Sequence, residues 1–258
     1  MLWRRLRIKG RAPHPPAAPD WPTLLHVTHR KAGSQWLSRI LYDCAPERVV
    51  FAAYEMAQFL SKPVLRGMIY PTLYVTKEEF GSVPLPAGAR HFVVIRDLRD
   101  TLVSWYFSLK FSHVDDHPIV AELRSAIDGL TLEESLIWFI EGPYFSETAA
   151  MQRSWHRSGE RLVRYEDLLE RDEEILERIL LDECGMPIGR ARLKAAIHAN
   201  RFERLTGRPR GTEDISSHER KGIVGDWRNY FTDRVKALFK ERCGTLLLET
   251  GYENTPDW

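Results

Sequence analysis

The chain has 258 residues, of which 43% are hydrophobic and 28% charged, enough for a sizeable core in one α/β domain. The 37 Lys and Arg residues are balanced by 36 Asp and Glu residues, which gives a formal net charge of +1. This balance excludes a global field that would draw the protein to nucleic acid or to an anionic membrane, so any anion site must be local.

Segments outside the predicted domain are short. Residues 1–22 carry basic side chains before Pro13, Pro15, Pro16 and Pro19 and are predicted to form a flexible tail, whereas residues 23–258 are predicted to form a single domain. The tail has no apolar signal region, and no later run reaches the roughly 18 apolar residues that span a bilayer. We therefore expect a cytoplasmic protein without a membrane span.

The first predicted strand is residues 24–27, followed by a turn at Gly33 and a helix from Ser34, whose hydroxyl is predicted to cap the first turn. A second strand lies in HFVVIRD and leads into a helix marked by Leu102, Trp105 and Leu109. A third strand, RLVRYEDL, precedes a helix over residues 172–184. Further helices are predicted near residues 132–141, 190–199 and 233–250, and a loop over residues 207–224.

Strands that alternate with helices predict an α/β fold, with an open parallel β-sheet flanked by helices on both faces. In such sheets ligands bind at the carboxyl ends of the strands. Both strand-to-helix junctions should therefore face one site.

The cysteines do not suggest a second kind of site. Cys44, Cys184 and Cys243 are odd in number, widely spaced and without a CxxC pair, a pattern that favours buried thiols in a reducing compartment. Neither a disulfide framework nor a metal site is predicted.

The segment THRKAGSQW places Lys31 and two small residues before a helix N-terminus, where free backbone N–H groups and the helix dipole favour an anion. Lys31 precedes Gly33, so the segment is not GxxxxGK[ST], and a magnesium-dependent triphosphatase or a kinase is disfavoured. Alone, the segment is equally compatible with a helix cap beside a surface lysine.

Three further segments could contribute to the same site. Arg96 ends the second strand, and Ser104 follows in the next helix, so the two could bind a phosphate, although Arg96 could instead pair with Asp97 or Asp100. RKGIVGDWRNYF is a second glycine-containing basic loop, or a solvated basic turn. Tyr165, in VRYEDL, could contact a purine or pack in the core.

In this order the four segments resemble the cytosolic-type sulfotransferase family over residues 24–231. RKAGSQW is similar to the family's PKSGTTW loop, VVIRDLRDTLVS to its 3′-phosphate segment, and RKGIVGDWRNYF to its RKGxxGDWKNxF signature; Arg30, Ala32 and Gln35 depart from the pattern. HANRFERL looks like the segment that carries the family's adenine-stacking phenylalanine. The fold expected is therefore P-loop-NTPase-like.

The resemblance implies 3′-phosphoadenosine 5′-phosphosulfate (PAPS) as a co-substrate and transfer of its sulfuryl group, without metal, to a hydroxyl or amine. Lys31 would stabilise charge on the leaving oxygen. The residues that it implies for donor binding are Lys31, Ala32, Gly33, Ser34, Gln35, Trp36, Arg96, Ser104, Tyr165, Phe202, Arg220, Lys221 and Gly222.

The family's general base, a histidine in a KTHLP-like segment, has no counterpart here. Candidates are Glu55, by similarity to distant carbohydrate and protein sulfotransferases, then His29 beside the loop, then Tyr70 near the expected position. A catalytically silent PAPS-binding protein is the alternative. The acceptor is a small molecule, a carbohydrate or a peptide, and the sequence sets neither its identity nor the oligomeric state.

Residues 207–217 precede the RKG segment and are predicted to fold over the donor as a lid, or to form an ordinary surface loop.

Overall fold

The computed structural model describes residues 21–51, 57–113 and 118–258. Of the predicted tail, residues 1–20 lie outside the described residues. Trp21 is packed, since its ring centroid lies 5.3 Å from the guanidinium carbon of Arg48.

A parallel sheet forms the centre of the molecule. Its strands are β1 (Leu24–Thr28), β2 (Ile69–Leu73), β3 (Arg90–Ile95) and β4 (Leu162–Arg164), in the order β2-β1-β3-β4. All five residues of β1 and of β2 are buried, as expected for parallel strands covered on both faces. The predicted fold class is confirmed.

No strand was predicted over residues 69–73. Pro71 lies at the centre of this strand, β2, and cannot donate to a strand ladder. The structure places β2 at the edge of the four-stranded sheet, where a missing N–H is tolerated. It pairs with β1 and, through one isolated bridge from Ile69 to Val49, with the segment that joins β1 to β2. The carbonyl oxygen of Pro71 lies 2.6 Å from Nδ1 of the buried His26 side chain on β1.

Helices cover both faces of the sheet. In chain order they are α1 (Ser34–Cys44), α2 (Ala57–Ser61), α3 (Lys77–Gly81), α4 (Leu98–Phe107), α5 (Pro118–Ala126), α6 (Leu132–Glu141), α7 (Pro143–Arg157), α8 (Tyr165–Glu177), α9 (Arg190–Ala199), α10 (Phe202–Thr206) and α11 (Asp233–Glu249). Short 3₁₀ turns span Pro46–Arg48 and Asp226–Asn229, and π-helical turns extend α4 over Ser108–Ser112 and α8 over Arg178–Glu183.

The predictions for α6, α9 and α11 are confirmed. The predicted helix from Asp172 begins directly after a kink at Arg171 (φ −133°, ψ 45°) that divides α8, whereas the helical segment before this kink was not predicted. Helix α8 begins at Tyr165, directly after β4. Leu168 before the kink and Ile175 and Leu176 after it are buried in the same core cluster, so both parts of α8 pack on the sheet. Strand β4 is only three residues long because helix α8 begins at Tyr165.

Alternation along the strands divides the core into two layers. On β1, Leu24 packs with α1, α8 and α9, whereas Leu25 faces the opposite layer with Phe80 of α3 and Trp155 of α7. A third cluster is built from α4, α5, α6, α7 and α11. All three cysteines are buried and free, as predicted.

The strand order creates a crevice between β1 and β3. After β2 the chain passes over to the other side of β1, and α1 and α4, which follow β1 and β3, belong to different core clusters. The loops after β1 and β3 therefore diverge, and a ligand crevice is expected where they part. Lys31 and Arg96 lie at these two strand ends.

Candidate functional site

The turn after β1 holds Lys31 in an unusual backbone conformation. Its φ of 68° lies in the left-handed region, and no other non-glycine residue in the described part of the chain has a positive φ. The N–H of Ala32 donates to the carbonyl of His29 at 3.3 Å, and Nη1 of Arg96 donates to the carbonyl of Lys31 at 2.8 Å. The side chain of Arg96 thus stabilises a strained turn, and strain of this kind clusters at functional sites.

Helix α1 begins without a side-chain cap. Its N-cap is Gly33, with a φ of 83°, and the predicted cap by Ser34 is wrong. Ser34 is the first helical residue, and its Oγ lies 2.8 Å from the hydroxyl of Tyr74. The first N–H groups of α1 therefore keep their capacity to bind an anion, aided by the helix dipole.

Gly33 is required by its neighbour as well as by its backbone. A Cβ atom at this position would lie 2.8 Å from Cδ2 of Tyr165. The ring of Tyr165 in turn lies 4.6 Å from the guanidinium carbon of Arg96 and stands edge-on to Trp36, with 6.2 Å between their centroids. Tyr165 therefore packs between the loop after β1 and the end of β3.

Arg96 has few competing partners. Its Nη2 lies 4.0 Å from Oδ2 of Asp100, at the limit of an ion pair, while its Nε is buried without a hydrogen-bond partner among the described residues. The expected alternative, pairing of Arg96 with Asp97 or Asp100, is met only at this limit. Asp97 instead accepts from Arg99, at 2.7 Å for Nη2.

The RKG segment, which is the sequence RKGIVGDWRNYF from Arg220 to Phe231, has its first two basic side chains paired with carboxylates. Arg220 pairs with Glu213 and Asp226, and Nζ of Lys221 donates to Asp226 at 2.7 Å. Gly222 has a φ of 66°, and a Cβ atom there would lie 2.6 Å from Cδ2 of Phe202. The close approach of this loop to the Phe202 ring therefore depends on glycine.

These elements surround one opening, here called the central cleft, with about 1030 Å³ of space that includes its open mouth. Of the residues assigned to donor binding, Ala32 is fully buried behind the turn and does not line the cleft. The others do, and the full lining is Lys31, Gly33, Ser34, Gln35, Trp36, Arg39, Tyr74, Arg96, Ser104, Tyr165, Leu169, Asn200, Phe202, Leu205, Arg210, His218, Glu219, Arg220, Lys221, Gly222 and Ile223.

The predicted 207–224 loop forms one wall of the cleft. Arg208 braces it by donating to the carbonyls of Thr212 at 2.7 Å and Glu219 at 2.6 Å. The N–H of Gly211 donates to the carbonyl of Lys221 at 2.8 Å, so the two legs of the loop are joined. The second leg, with Glu219, faces the cleft.

Two of the three predicted bases have their polar atoms engaged. Nδ1 of His29 lies 2.9 Å from the carbonyl of Arg30, and its Nε2 accepts from the N–H of Arg96 at 3.2 Å. The hydroxyl of Tyr70 accepts from the N–H of Leu65 at 2.8 Å, and Tyr70 belongs to the core layer behind β2 rather than to the cleft lining. Glu55 lies outside the described residues.

The sequence reasoning missed other cleft residues, among them Tyr74, Arg39 and His218. Tyr74 follows the unpredicted strand β2, so its position could not be found without that strand. Arg39 is one turn beyond the loop on α1 and donates to Glu219 at 2.5 Å. His218 stands two residues before the RKG segment, and this adjacency was the only signal for it.

Positive charge is concentrated at Lys31. Burial, with Arg96 and Arg220 nearby, lowers the pKa of Lys31 to about 7, against the opposing effect of Glu219. The positive charge of Lys31 and burial lower the pKa of His218 to about 2. A bound anion would favour the protonated forms of Lys31 and His218 and would therefore raise both pKa values.

Across the described ranges, no group of three or more His, Cys, Asp or Glu side chains is placed to hold a metal ion. None of the helices in these ranges has the length and apolarity to cross a bilayer.

Solved structures share this fold. A mouse sulfotransferase complexed with PAP (adenosine 3′,5′-bisphosphate) superposes with a TM-score of 0.61 at 17% identity. The superposition covers 92% of this chain and 90% of that one. A retinol dehydratase in complex with retinol and PAP gives a TM-score of 0.52 at 13% identity and covers 89% of this chain and 82% of that one. At these identities the likeness establishes the fold.

Curated relatives match over most of the chain. Human sulfotransferase 1C2 is 24% identical over 87% of this chain and 82% of its own length, and the 3-alpha-hydroxysteroid sulfotransferase of Cavia porcellus is 24% identical over 80% and 77%. A family model described as a sulfotransferase domain matches residues 87–251, which include Arg96, Tyr165 and the RKG segment. The chain therefore belongs to the sulfotransferase domain family.

Proposed function

We propose that the protein transfers a sulfuryl group from PAPS to a hydroxyl or an amine of an acceptor. The observation that supports this most directly is the presence of two cationic regions in one cleft. Lys31 and the start of α1 form the first region, and Arg96, Arg220 and Lys221 contribute to the second. A nucleotide with phosphate groups at both its 5′ and 3′ positions can engage both regions, whereas a simple 5′-nucleotide uses only one region.

Two side chains that line the cleft, those of Arg96 and Trp36, carry buried donors that such a ligand could engage. Nε of Arg96 and Nε1 of Trp36 are buried without a hydrogen-bond partner among the described residues. Both atoms can only donate, so an anion with several oxygens would satisfy them. The rings of Phe202 and Tyr165 also line the cleft and offer faces or edges to a purine.

Lys31 is suited to the transfer step. PAPS supplies the sulfuryl group and leaves as adenosine 3′,5′-bisphosphate (PAP), so negative charge grows on the bridging oxygen. A cation held by a strained turn beside that oxygen stabilises the transition state more than the ground state, because the charge is fixed before the reaction. The hydrogen bond from Arg96 to the Lys31 carbonyl couples the two cationic regions.

The alternative is a catalytically silent protein that binds PAPS or PAP. Its support is that both nitrogens of His29 and the hydroxyl of Tyr70 are engaged within the fold. Glu55 stays a candidate base. If Glu55 deprotonates the acceptor, Glu55→Gln should abolish turnover while the fold is retained, and near-normal turnover would exclude that role.

Calorimetric titration of the protein with PAP and with adenosine 5′-monophosphate tests the proposal. We expect much tighter binding of PAP, because only PAP engages both cationic regions. Arg220→Ala should remove most of the difference between the two ligands, whereas Arg161→Ala, an exposed residue paired with Glu183, should leave it unchanged. Equal, weak binding of both nucleotides would refute the proposal.

Transfer itself is tested by incubating the protein with ³⁵S-labelled PAPS and a panel of phenols, sterols, sugars and peptides. A labelled product that is lost in Lys31→Ala supports the enzyme. Tight PAP binding without any labelled product, together with a donor that stays intact, would favour the silent protein.

A further inference from the structure

We propose that His218 is the general base that accepts the proton of the acceptor, and that it becomes competent only when the donor occupies the cleft. This inference rests on the proposed function. It is supported by the position of His218, by its uncommitted ring and by the charges around it.

The position of His218 is fixed by the braced 207–224 loop. Its neighbour Glu219 forms an ion pair with Arg39 of α1, and the carbonyl of Glu219 accepts from Arg208. His218 itself is partly buried and lines the central cleft together with Lys31. The loop thus holds an imidazole on the wall of the same cleft that contains the proposed sulfuryl-binding loop.

The ring of His218 is free to exchange a proton. Within residues 21–51, 57–113 and 118–258, neither of its nitrogens makes a hydrogen bond, which distinguishes it from His29 and from His26, whose Nδ1 contacts the carbonyl of Pro71. A general base must be accessible to the proton that it removes. Of these three histidines, only His218 meets this requirement in the cleft.

Three cationic or titratable groups on different elements face His218. They are Lys31 from the turn after β1, Arg39 from α1, and His113, which follows the π-helical extension of α4. Lys31 has the largest effect on the pKa of His218, and all three oppose protonation. These charges favour the neutral imidazole, which is the form that accepts a proton, and they also lower its affinity for that proton.

Donor binding changes this balance in a definite direction. The phosphosulfate end of the donor would place negative charge beside Lys31, and this charge favours the imidazolium form and raises the pKa of His218. The base then gains proton affinity in the donor complex. A protein without donor keeps a weak base, so the acceptor is not deprotonated unproductively.

In the transfer step the acceptor oxygen or nitrogen gives its proton to the imidazole of His218 and forms a bond to sulfur. The bond between sulfur and the bridging oxygen breaks, and its electron pair stays on that oxygen, beside Lys31. The proton on His218 is later released to solvent. No oxidant, reductant or metal enters this balance.

The first test measures protonation without turnover. Histidine ring signals of the ¹³C-labelled protein are followed as a function of pH, with and without saturating PAP, and the signal of His218 is assigned by its loss in His218→Gln. We expect the signal to stay in the neutral form through the accessible pH range in the free protein, and to titrate within that range, with a measurable midpoint, in the PAP complex. The signal of His198, which is exposed and pairs with Glu173, serves as the control.

The second test separates a base from a structural residue. With the best acceptor from the panel, His218→Gln should lower kcat by about 100-fold or more with little change in the affinity for PAP. Added imidazole should restore activity to His218→Ala, which a purely structural loss would not allow. His198→Gln is the matched control and should keep the activity of the unmodified protein.

The outcomes separate the two proposals. Failure of PAP to bind would overturn the proposed function and this inference with it. PAP binding without any change in the His218 signal would overturn the inference alone. So would a kcat of His218→Gln close to that of the unmodified protein, and a parallel loss in Glu55→Gln would then point to Glu55.

Discussion

Lys31 has both an uncommon backbone conformation and a lowered side-chain pKa. The residue has a positive φ without being glycine, and its ammonium has a lowered pKa in a partly buried place beside Arg96. Neither feature helps the fold by itself. Both become useful if an anion binds there, because the anion stabilises the charged ammonium and uses the N–H groups that the turn exposes.

Donor affinity should therefore depend on the protonation of Lys31. Its pKa is lowered to about 7 in the free protein, and a bound anion raises it, so binding takes up a proton above that pH. We expect the affinity for PAP to be greatest below about pH 7 and to fall by up to about tenfold per pH unit above it, until the pKa of the complex is reached. Calorimetry at several pH values, in buffers of different ionisation enthalpy, measures both quantities.

Lys31→Arg is the control for this pH dependence, since a guanidinium stays protonated throughout. The variant should bind PAP without the proton uptake. The same pH slope in both proteins would show that another group is responsible.

Gly222 allows a comparison with a second glycine of similar backbone conformation. Gly222→Ala should push the Phe202 ring out of place, because the new Cβ would lie 2.6 Å from it, and should weaken PAP binding by about tenfold, or about 1.4 kcal/mol. Gly211 has a φ of 92°, but a Cβ there meets no atom within 4 Å. Both variants should lose about 1 kcal/mol of stability from the positive φ, and only Gly222→Ala should lose affinity. Equal PAP affinities of Gly222→Ala and Gly211→Ala would contradict a role of the Phe202 ring in PAP binding.

At the scale of elements, the site is formed where strands end and the following helices begin. The loops after β1 and β3 supply Lys31 and Arg96, and α4 carries Ser104 and also anchors the segment after the RKG residues. Asp100 of α4 is 2% exposed and accepts from the N–H groups of Gly225 at 2.6 Å and Trp227 at 2.9 Å. One carboxylate thus fixes the basic loop against the sheet.

Asp100→Ala should lower the free energy of unfolding by about 3 kcal/mol, because two N–H groups lose their acceptor. Denaturant unfolding measures this loss, and PAP affinity should fall as the loop is released. Asp128→Ala, at an exposed position, should change stability by less than about 0.5 kcal/mol. A stability of Asp100→Ala equal to that of the control would contradict the anchoring role.

At the scale of the whole molecule, a buried arginine joins the end of β3 to the end of the chain. Arg99 is 1% exposed, donates to Glu253 at 2.5 Å and contacts two indole rings, with its guanidinium carbon 4.1 Å from the ring centroid of Trp227 and 4.4 Å from that of Trp258. Asp97 completes its hydrogen bonds. This contact closes the third core cluster around α11.

Arg99→Ala should lower the free energy of unfolding by about 3 kcal/mol or more, because it leaves the buried Asp97 carboxylate and the partly buried Glu253 carboxylate without their partner. Arg161→Ala, which breaks an exposed ion pair with Glu183, should cost about 1 kcal/mol or less. Thermal and denaturant unfolding provide the comparison. Similar losses in the two variants would show that Arg99 does not hold the C-terminal segment.

The elements that were predicted correctly show a strand or helix pattern in their own residues. Strands β1 and β3 are continuous apolar runs, and α6 and α9 have helical spacing with clear ends. The differences from prediction at Ser34, at β2 and in the part of α8 before the kink at Arg171 occur where a neighbour overrides the local signal. Tyr74 takes the hydroxyl of Ser34, the sheet edge tolerates Pro71, and packing on α1 and α9 extends α8 back to Tyr165.

The sequence by itself determined the α/β class, the two strand-to-helix junctions and most of the residues that line the cleft, because each of these depends on short-range periodicity or on a contiguous motif. Only the tertiary structure decided which side chains are free to act. It engages His29 and Tyr70 in hydrogen bonds, buries Ala32, and brings His218 to the cleft that contains Lys31. Such outcomes depend on contacts between residues far apart in the chain, and no local pattern records them.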